Sequence, residues 1–156
     1  MKKLLLLLFV GIVGIANAQT VNIPDANFKA YLVGLIGLDT NGDDEIQIRE
    51  AAAYDSWLSC RSMNISDLTG IEAFTALTLL WCGDNQLTNL DVTKNTALTE
   101  LYCGDNRLTS LYLNTALETL HCYDNKLTSL DVTNNTALID LNCSSNPLTS
   151  LDVTQN

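Results

Sequence analysis

The sequence predicts an α/β solenoid, a coil of stacked parallel strands preceded by a small helical cap. Three observations carry that prediction. The second half repeats in units of 19 or 21 residues. Every unit holds leucine and cysteine at fixed places, and the helix-forming segments are confined to the first half.

The first eighteen residues read as an address. Lys2 and Lys3 form a positive start, Leu4 to Ile15 is an apolar run, and Ala16-Asn17-Ala18 supplies the small residues a signal peptidase reads. A secretory signal peptide over 1–18 is therefore expected, cleaved after Ala18. A membrane anchor needs about 20 apolar residues, and this run is shorter. Gln19, not Cys, follows the cleavage site, which argues against a lipoprotein anchor.

Residues 19–57 are expected to form the cap, beginning with a short apolar helix from Asp25 to about Gly37. Residues 39–50 then read D-T-N-G-D-D-E-I-Q-I-R-E. This is the spacing of an EF-hand-like or dockerin-like loop, which wraps one calcium ion in hard oxygens. Asp39, Asn41 and Asp43 would supply side-chain oxygens, Glu45 its carbonyl, Gln47 a water-mediated contact and Glu50 both carboxylate oxygens. Ile46 fits the apolar bridge of such loops. Asp44 departs from the pattern, which puts Gly there for a positive φ; Asp is among the better substitutes. The competing reading is an acidic surface loop before a helix at Ile48–Tyr54. With no second loop to pair with, the affinity should be modest.

The repeats occupy residues 58–156, as a degenerate unit over 58–76 and units over 77–97, 98–116, 117–137 and 138–156. The unit over 98–116 lacks two residues before its Asn-Thr-Ala. Each full unit contains L-x-x-L-x-C-x-x-N-x-L, the leucine-rich-repeat pattern with Cys at its third apolar position. Leu80 and Cys82 flank Trp81, so a short strand points the first two inward and Trp81 outward. The Asn that follows can satisfy backbone groups of the turn. Successive turns stack strands in parallel, so Leu80, Leu101, Leu120 and Leu141 form one ladder at about 4.8 Å spacing, and Leu90, Leu111, Leu130 and Leu151 another. No unit buries its leucines alone; stacking makes one core. A second, outer sheet is expected from L-D-V at Leu90 to Val92, Leu130 to Val132 and Leu151 to Val153.

The five cysteines, Cys60, Cys82, Cys103, Cys122 and Cys143, track the units one for one. Export would ordinarily suggest disulfides. Their number is odd, all sit at inward positions, and stacked in-register side chains point the same way, which is poor disulfide geometry. They read as small core hydrophobes. Zinc is the weaker alternative, since no C-x-x-C pair exists and the one His faces away from its Cys122 neighbour.

The runs IPDANFKAYLV, DTNGDDEIQI and DLTGIEAFTAL, with the repeated LTSLDVT and NTAL segments, resemble exported bacterial leucine-rich-repeat surface proteins, internalin-like in general plan. The resemblance covers nearly all of the chain after residue 18. It implies a right-handed coil with a helical N-terminal cap, an extracellular or cell-surface location, and a binding rather than catalytic role. Longer relatives continue with more repeats and a sorting domain, so a fragment of a larger surface protein, or a short soluble form, is expected.

Charge and chemistry narrow the function. Eight basic residues stand against 18 acidic ones, a net −10, which argues against nucleic acid or an anionic membrane as partner. Strand alternation separates His121 from Cys122, so no Cys–His pair forms, and no enzyme is expected. The candidate partner surface is the outward strand face. Trp81, Tyr102, His121 and Asn142 stack there in one column, with Tyr123 beside them where other units have Gly83, Gly104 and Ser144. Asp84, Asp105 and Asp124 make a flanking acidic column. Exposed aromatics in a row point to recognition of a protein or glycan. The alternative is a structural or adhesive spacer with no ligand surface.

Overall fold

The structure is a computed structural model that describes residues 19–156; the expected signal peptide lies outside the described residues. Two helices come first, α1 at Ala26–Val33 and α2 at Ile48–Ala53. Asp25 caps α1, its carboxylate accepting from the Asn27 and Phe28 amides at 3.0 Å, so that two of the donors orphaned at a helix start are satisfied. The helix is shorter than Asp25–Gly37, because Gly34 and Gly37 carry the chain out of it. The other oxygen of Asp25 accepts from the Ser66 amide and hydroxyl, at 2.9 and 3.0 Å, and so pins α1 to the repeats.

Seven three-residue strands follow: β1 Trp57–Ser59, β2 Leu79–Trp81, β3 Asn89–Asp91, β4 Glu100–Tyr102, β5 Ser110–Tyr112, β6 Thr119–His121 and β7 Asp140–Asn142. Five of them make one parallel sheet, in the order β1-β2-β4-β6-β7. Its register puts Leu58, Leu80, Leu101, Leu120 and Leu141 side by side, so the degenerate unit supplies the first rung. The chain is a leucine-rich-repeat solenoid of stacked parallel strands. Buried apolar residues run as one core from Val21 to Leu138, which no single unit could form.

The second sheet is smaller than the L-D-V pattern suggests. It pairs β3 with β5, Leu90 beside Leu111, and goes no further. Leu130 to Val132 and Leu151 to Val153 are irregular. The sheet stops at the shortened unit, whose two missing residues break the ladder toward the next turn.

Two asparagine ladders hold the turns. In the first, each side-chain amide donates to a Cys carbonyl of the preceding unit and to the Cys of its own. Asn106 reaches Cys82 O at 3.0 Å and Cys103 O at 3.2 Å, and Asn125 reaches Cys103 O and Cys122 O at 3.0 and 3.1 Å. Their carbonyl oxygens accept from Leu87 N and Leu108 N. The second ladder is Asn95, Asn114 and Asn135 of the Asn-Thr-Ala segments, joined by Asn156 at the matching position. Asn114 donates to Asn95 O, Asn135 to Asn114 O and Asn156 to Asn135 O. A buried coil of irregular backbone survives because these amides satisfy its carbonyls.

All five cysteines are free thiols. Burial pushes the Cys60 and Cys122 thiols up to about 12 and raises Cys82 and Cys103 well above their ordinary value. Cys143 also packs against the core but is only half-buried.

Candidate functional site

The column Trp81, Tyr102, His121, Asn142 follows from the strand register, each residue paired with the next across β2, β4, β6 and β7. The rings touch in sequence. Trp81 and Tyr102 have centroids 5.2 Å apart at 58°, and Tyr102 and His121 meet edge-to-face at 5.0 Å. Neither is a face-to-face sandwich, the arrangement aromatic pairs disfavour. Trp81 is 45% exposed. The Tyr102 hydroxyl donates to Glu100 Oε2 at 2.9 Å, and His121 Nε2 lies 2.9 Å from Asp140 Oδ2. Burial and the Glu100 carboxylate hold the Tyr102 phenol above its usual range.

An open groove of about 230 Å³ lies along this column. Trp81, Tyr102 and His121 form one side, Gly83 and Gly104 are in its lining, and Tyr123 and Arg61 complete the lining. Sequence reasoning missed Arg61, yet a signal was present. Arg61 follows Cys60 as Gly83, Gly104 and Tyr123 follow Cys82, Cys103 and Cys122, so all four share one register position. Burial and the Asp105 carboxylate raise the Tyr123 phenol, while Arg61 pulls the other way.

The acidic column has a conformational cause. Asp84, Asp105 and Asp124 have φ of 54°, 53° and 46°, and Ser62 and Ser145 take the same left-handed geometry in their units. Asp and Asn are the side chains that tolerate this region best after Gly. The aspartates are exposed, so the turn also lines the groove's flank with negative charge.

In the acidic loop, Asp39 Oδ1 accepts from Gly42 N at 2.8 Å and Asp39 Oδ2 from Asp44 N at 3.0 Å. Asn41 and Asp43 each accept from the amide two residues on, at 3.1 and 3.0 Å. Asp44 has φ 60°, the left-handed value the pattern assigns to Gly. Gln47 is the N-cap of α2 and forms a reciprocal capping box with Glu50, whose Oε2 accepts from Gln47 N at 3.0 Å. Glu50 Oε1 accepts from the Thr40 amide at 2.9 Å and from its hydroxyl. Burial pulls the Glu50 carboxyl upward, but these donors outweigh it and the net shift is downward. Glu45 pairs with Lys29. Ile46 is fully buried, and its carbonyl accepts from Val21 N at 2.8 Å while Ile48 N donates to Gln19 O at 2.9 Å. Residues 19–21 thus pair where a second loop would. The donor set is all oxygen and the loop turns as the pattern requires, so calcium fits its chemistry. Among the described residues no three Asp, Glu, His or Cys side chains already converge as a metal cluster.

No family model matches the chain. It is 42% identical over 72 residues to internalin J of Listeria monocytogenes, a match covering 46% of this chain and 8% of that protein. The solved functional domain of InlJ from the same organism, which includes a cysteine ladder, superposes with a TM-score of 0.75 at 42% identity, over 88% of this chain and 31% of that one. InlF of L. monocytogenes, at 22% identity and a TM-score of 0.55, shares the fold over 90% of this chain and 49% of its own. The chain therefore spans under a tenth of the curated relative and about a third of the solved InlJ domain. No helix of the described residues is long and apolar enough to cross a membrane.

Proposed function

We propose that this chain is a secreted or cell-surface binding module that presents the outward strand face of its repeats to a protein or glycan. The supporting observation is the groove lined by the Trp81–Tyr102–His121 column together with Tyr123 and Arg61. It joins aromatic area to a few charged tips, the composition that favours recognition sites. The rim carboxylates Asp105, Asp124, Glu100 and Asp140 favour a basic partner, whose association would slow with added salt. The 42% identical internalin relatives agree with a surface role. Nothing in the groove assembles a nucleophile with a base, so binding, not catalysis, is the reading.

The acidic loop serves this module as a structural calcium site. Asp39, Asn41 and Asp43 would hold the ion with the Glu45 carbonyl, Gln47 through water, and Glu50 from the start of α2. The ion would supply positive charge that balances the carboxylates and ties the loop to that helix.

The face is tested by screening protein and glycan arrays with the wild type and with a Trp81→Ala/Tyr102→Ala variant. Ligands that bind the wild type and are lost by the variant, with both proteins folded, support recognition. Equal binding by both, or none by either, leaves the solenoid as a spacer.

A further inference from the structure

The shortened unit leaves a notch on the side of the coil away from the strand-face groove. Aligning the units places Leu111-Tyr112-Leu113-Asn114 against Leu90-Asp91-Val92-Thr93-Lys94-Asn95 and Leu130-Asp131-Val132-Thr133-Asn134-Asn135. The residues absent from the middle unit are the counterparts of Thr93-Lys94 and Thr133-Asn134. Around that gap the structure has a cavity of about 210 Å³, edged by Thr93 from the turn on one side and by Asp131 and Asn134 from the turn on the other.

Its lining shows what the deletion did. Leu111 and Leu113 are half-buried, whereas their equivalents Leu90, Leu130, Val92 and Val132 are buried, at 8% exposure or less. Tyr112 replaces the Asp of the other units, pairs in register with Asp91, and stands 57% exposed. Asp131 spends one oxygen on the Thr133 amide and hydroxyl, at 3.0 and 2.7 Å, and no described residue engages the other. The notch thus sets an aromatic ring and two leucines beside hydroxyl, amide and carboxylate groups, with no cation in its lining.

We infer that this notch is a subsite for one uncharged pyranose ring. A sugar ring presents apolar C–H faces to an aromatic side chain and hydroxyls that donate and accept at once. Tyr112 matches the first; Thr93, Asn134 and the free Asp131 oxygen match the second. The volume lies below that of sites for drug-sized ligands, which suits a single ring. Asp131 and the absence of a cation disfavour an acidic sugar, which would set a like charge against the exposed Asp131 carboxylate.

The experiment titrates methyl glycosides of glucose, galactose, mannose and N-acetylglucosamine, with N-acetylneuraminic acid as the anionic control. Saturation-transfer NMR and calorimetry are read on four proteins: wild type, Tyr112→Ala, Trp81→Ala, and a variant with Thr-Lys inserted between Leu113 and Asn114. At least one neutral glycoside should bind the wild type with Kd on the order of 1 mM. Tyr112→Ala should weaken it about tenfold, the insertion should abolish it, and Trp81→Ala should leave it unchanged, which separates this site from the strand-face groove. The inference is overturned if no neutral glycoside binds, if binding survives the insertion, if Tyr112→Ala changes nothing, if Trp81→Ala abolishes it, or if the acidic sugar binds as well.

Discussion

The ring of Tyr123 lies over Gly104, so close that a Cβ on Gly104 would stand 2.6 Å from the ring's Cε1 and Cζ. The glycine is not there for its backbone, since it has no positive φ. It is there because a neighbouring turn places an aromatic ring on it.

Gly104→Ala should therefore keep the fold and displace the ring. The backbone accepts Ala, so the melting temperature should move by only a few degrees, consistent with a change of about 0.5 kcal/mol. Freed from Gly104, Tyr123 should lose part of its burial, and its raised phenol should fall toward the ordinary value of 10.0. NMR titration of the ring protons reads this directly. An unchanged Tyr123 titration would mean that the ring does not depend on that bare position.

Asn125 should be costly to replace. It is buried, donates to three carbonyls between 3.0 and 3.1 Å and accepts from Leu108 N at 2.8 Å. Asn125→Ala strands these backbone groups and should destabilise by about 3 kcal/mol. Asn134→Ala, on an exposed neighbour, should change stability by less than about 0.5 kcal/mol. Chemical denaturation of both variants checks the contrast, and equal losses would remove the ladder's special role.

Periodicity made the coil legible, because leucines and cysteines recurring at one spacing can be satisfied only by stacking. It also gave the Trp81–Tyr102–His121 column, since register follows from the repeat. Three features escaped it. Arg61 occupies a register position that holds Gly in two other units, so the repeat placed it without marking it as part of the groove. The Asn-Thr-Ala segments were visible as repeats, but their buried amides act on turns a full unit away, which local pattern does not reveal. The outer sheet ends where the deletion before Asn114 shortens the step from Leu111 to Leu130, which the L-D-V motif does not show; nothing in the structure explains why Leu130 to Val132 and Leu151 to Val153, at the full spacing, stay unpaired.

The thiols should respond to pH and to reagents in an order set by burial. In the folded chain a thiol reagent at neutral pH should label Cys143, which is half-buried, and spare the other four. After denaturation all five should react. A raised thiol pKa means that the unfolded state releases its proton first. The stabilisation is complete below the ordinary value of 9.0 and is lost as pH rises toward about 12, the folded value of Cys60 and Cys122. Melting temperature should fall through that window, and Cys103→Ser, which buries a hydroxyl, should lower stability by roughly 1–3 kcal/mol. Peptides cross-linked through sulfur between adjacent units would contradict the free-thiol ladder.

Calcium should raise the melting temperature of the wild type, because an ion that binds only the folded loop stabilises it by mass action. The obvious variant, Glu50→Gln, is not a clean test. Glu50 also closes the capping box of α2 and holds Thr40, so its loss weakens the fold with or without metal. Asp43→Asn is better placed, since Asp43 is exposed and bonds only within the loop, to Glu45 N and the Asn41 and Gln47 amides. It should leave the chelator-treated melting temperature nearly unchanged while removing most of the calcium-dependent rise. Asp44→Gly should act in the opposite sense. It relieves a left-handed side chain that costs about 1–2 kcal/mol, keeps the Asp44 amide that bonds Asp39, and should tighten the calorimetric affinity, expected in the range of about 10⁻⁴–10⁻³ M. If chelator and millimolar calcium give the wild type the same melting curve, and calorimetry shows no heat, the loop is held by its own hydrogen bonds and the calcium reading fails.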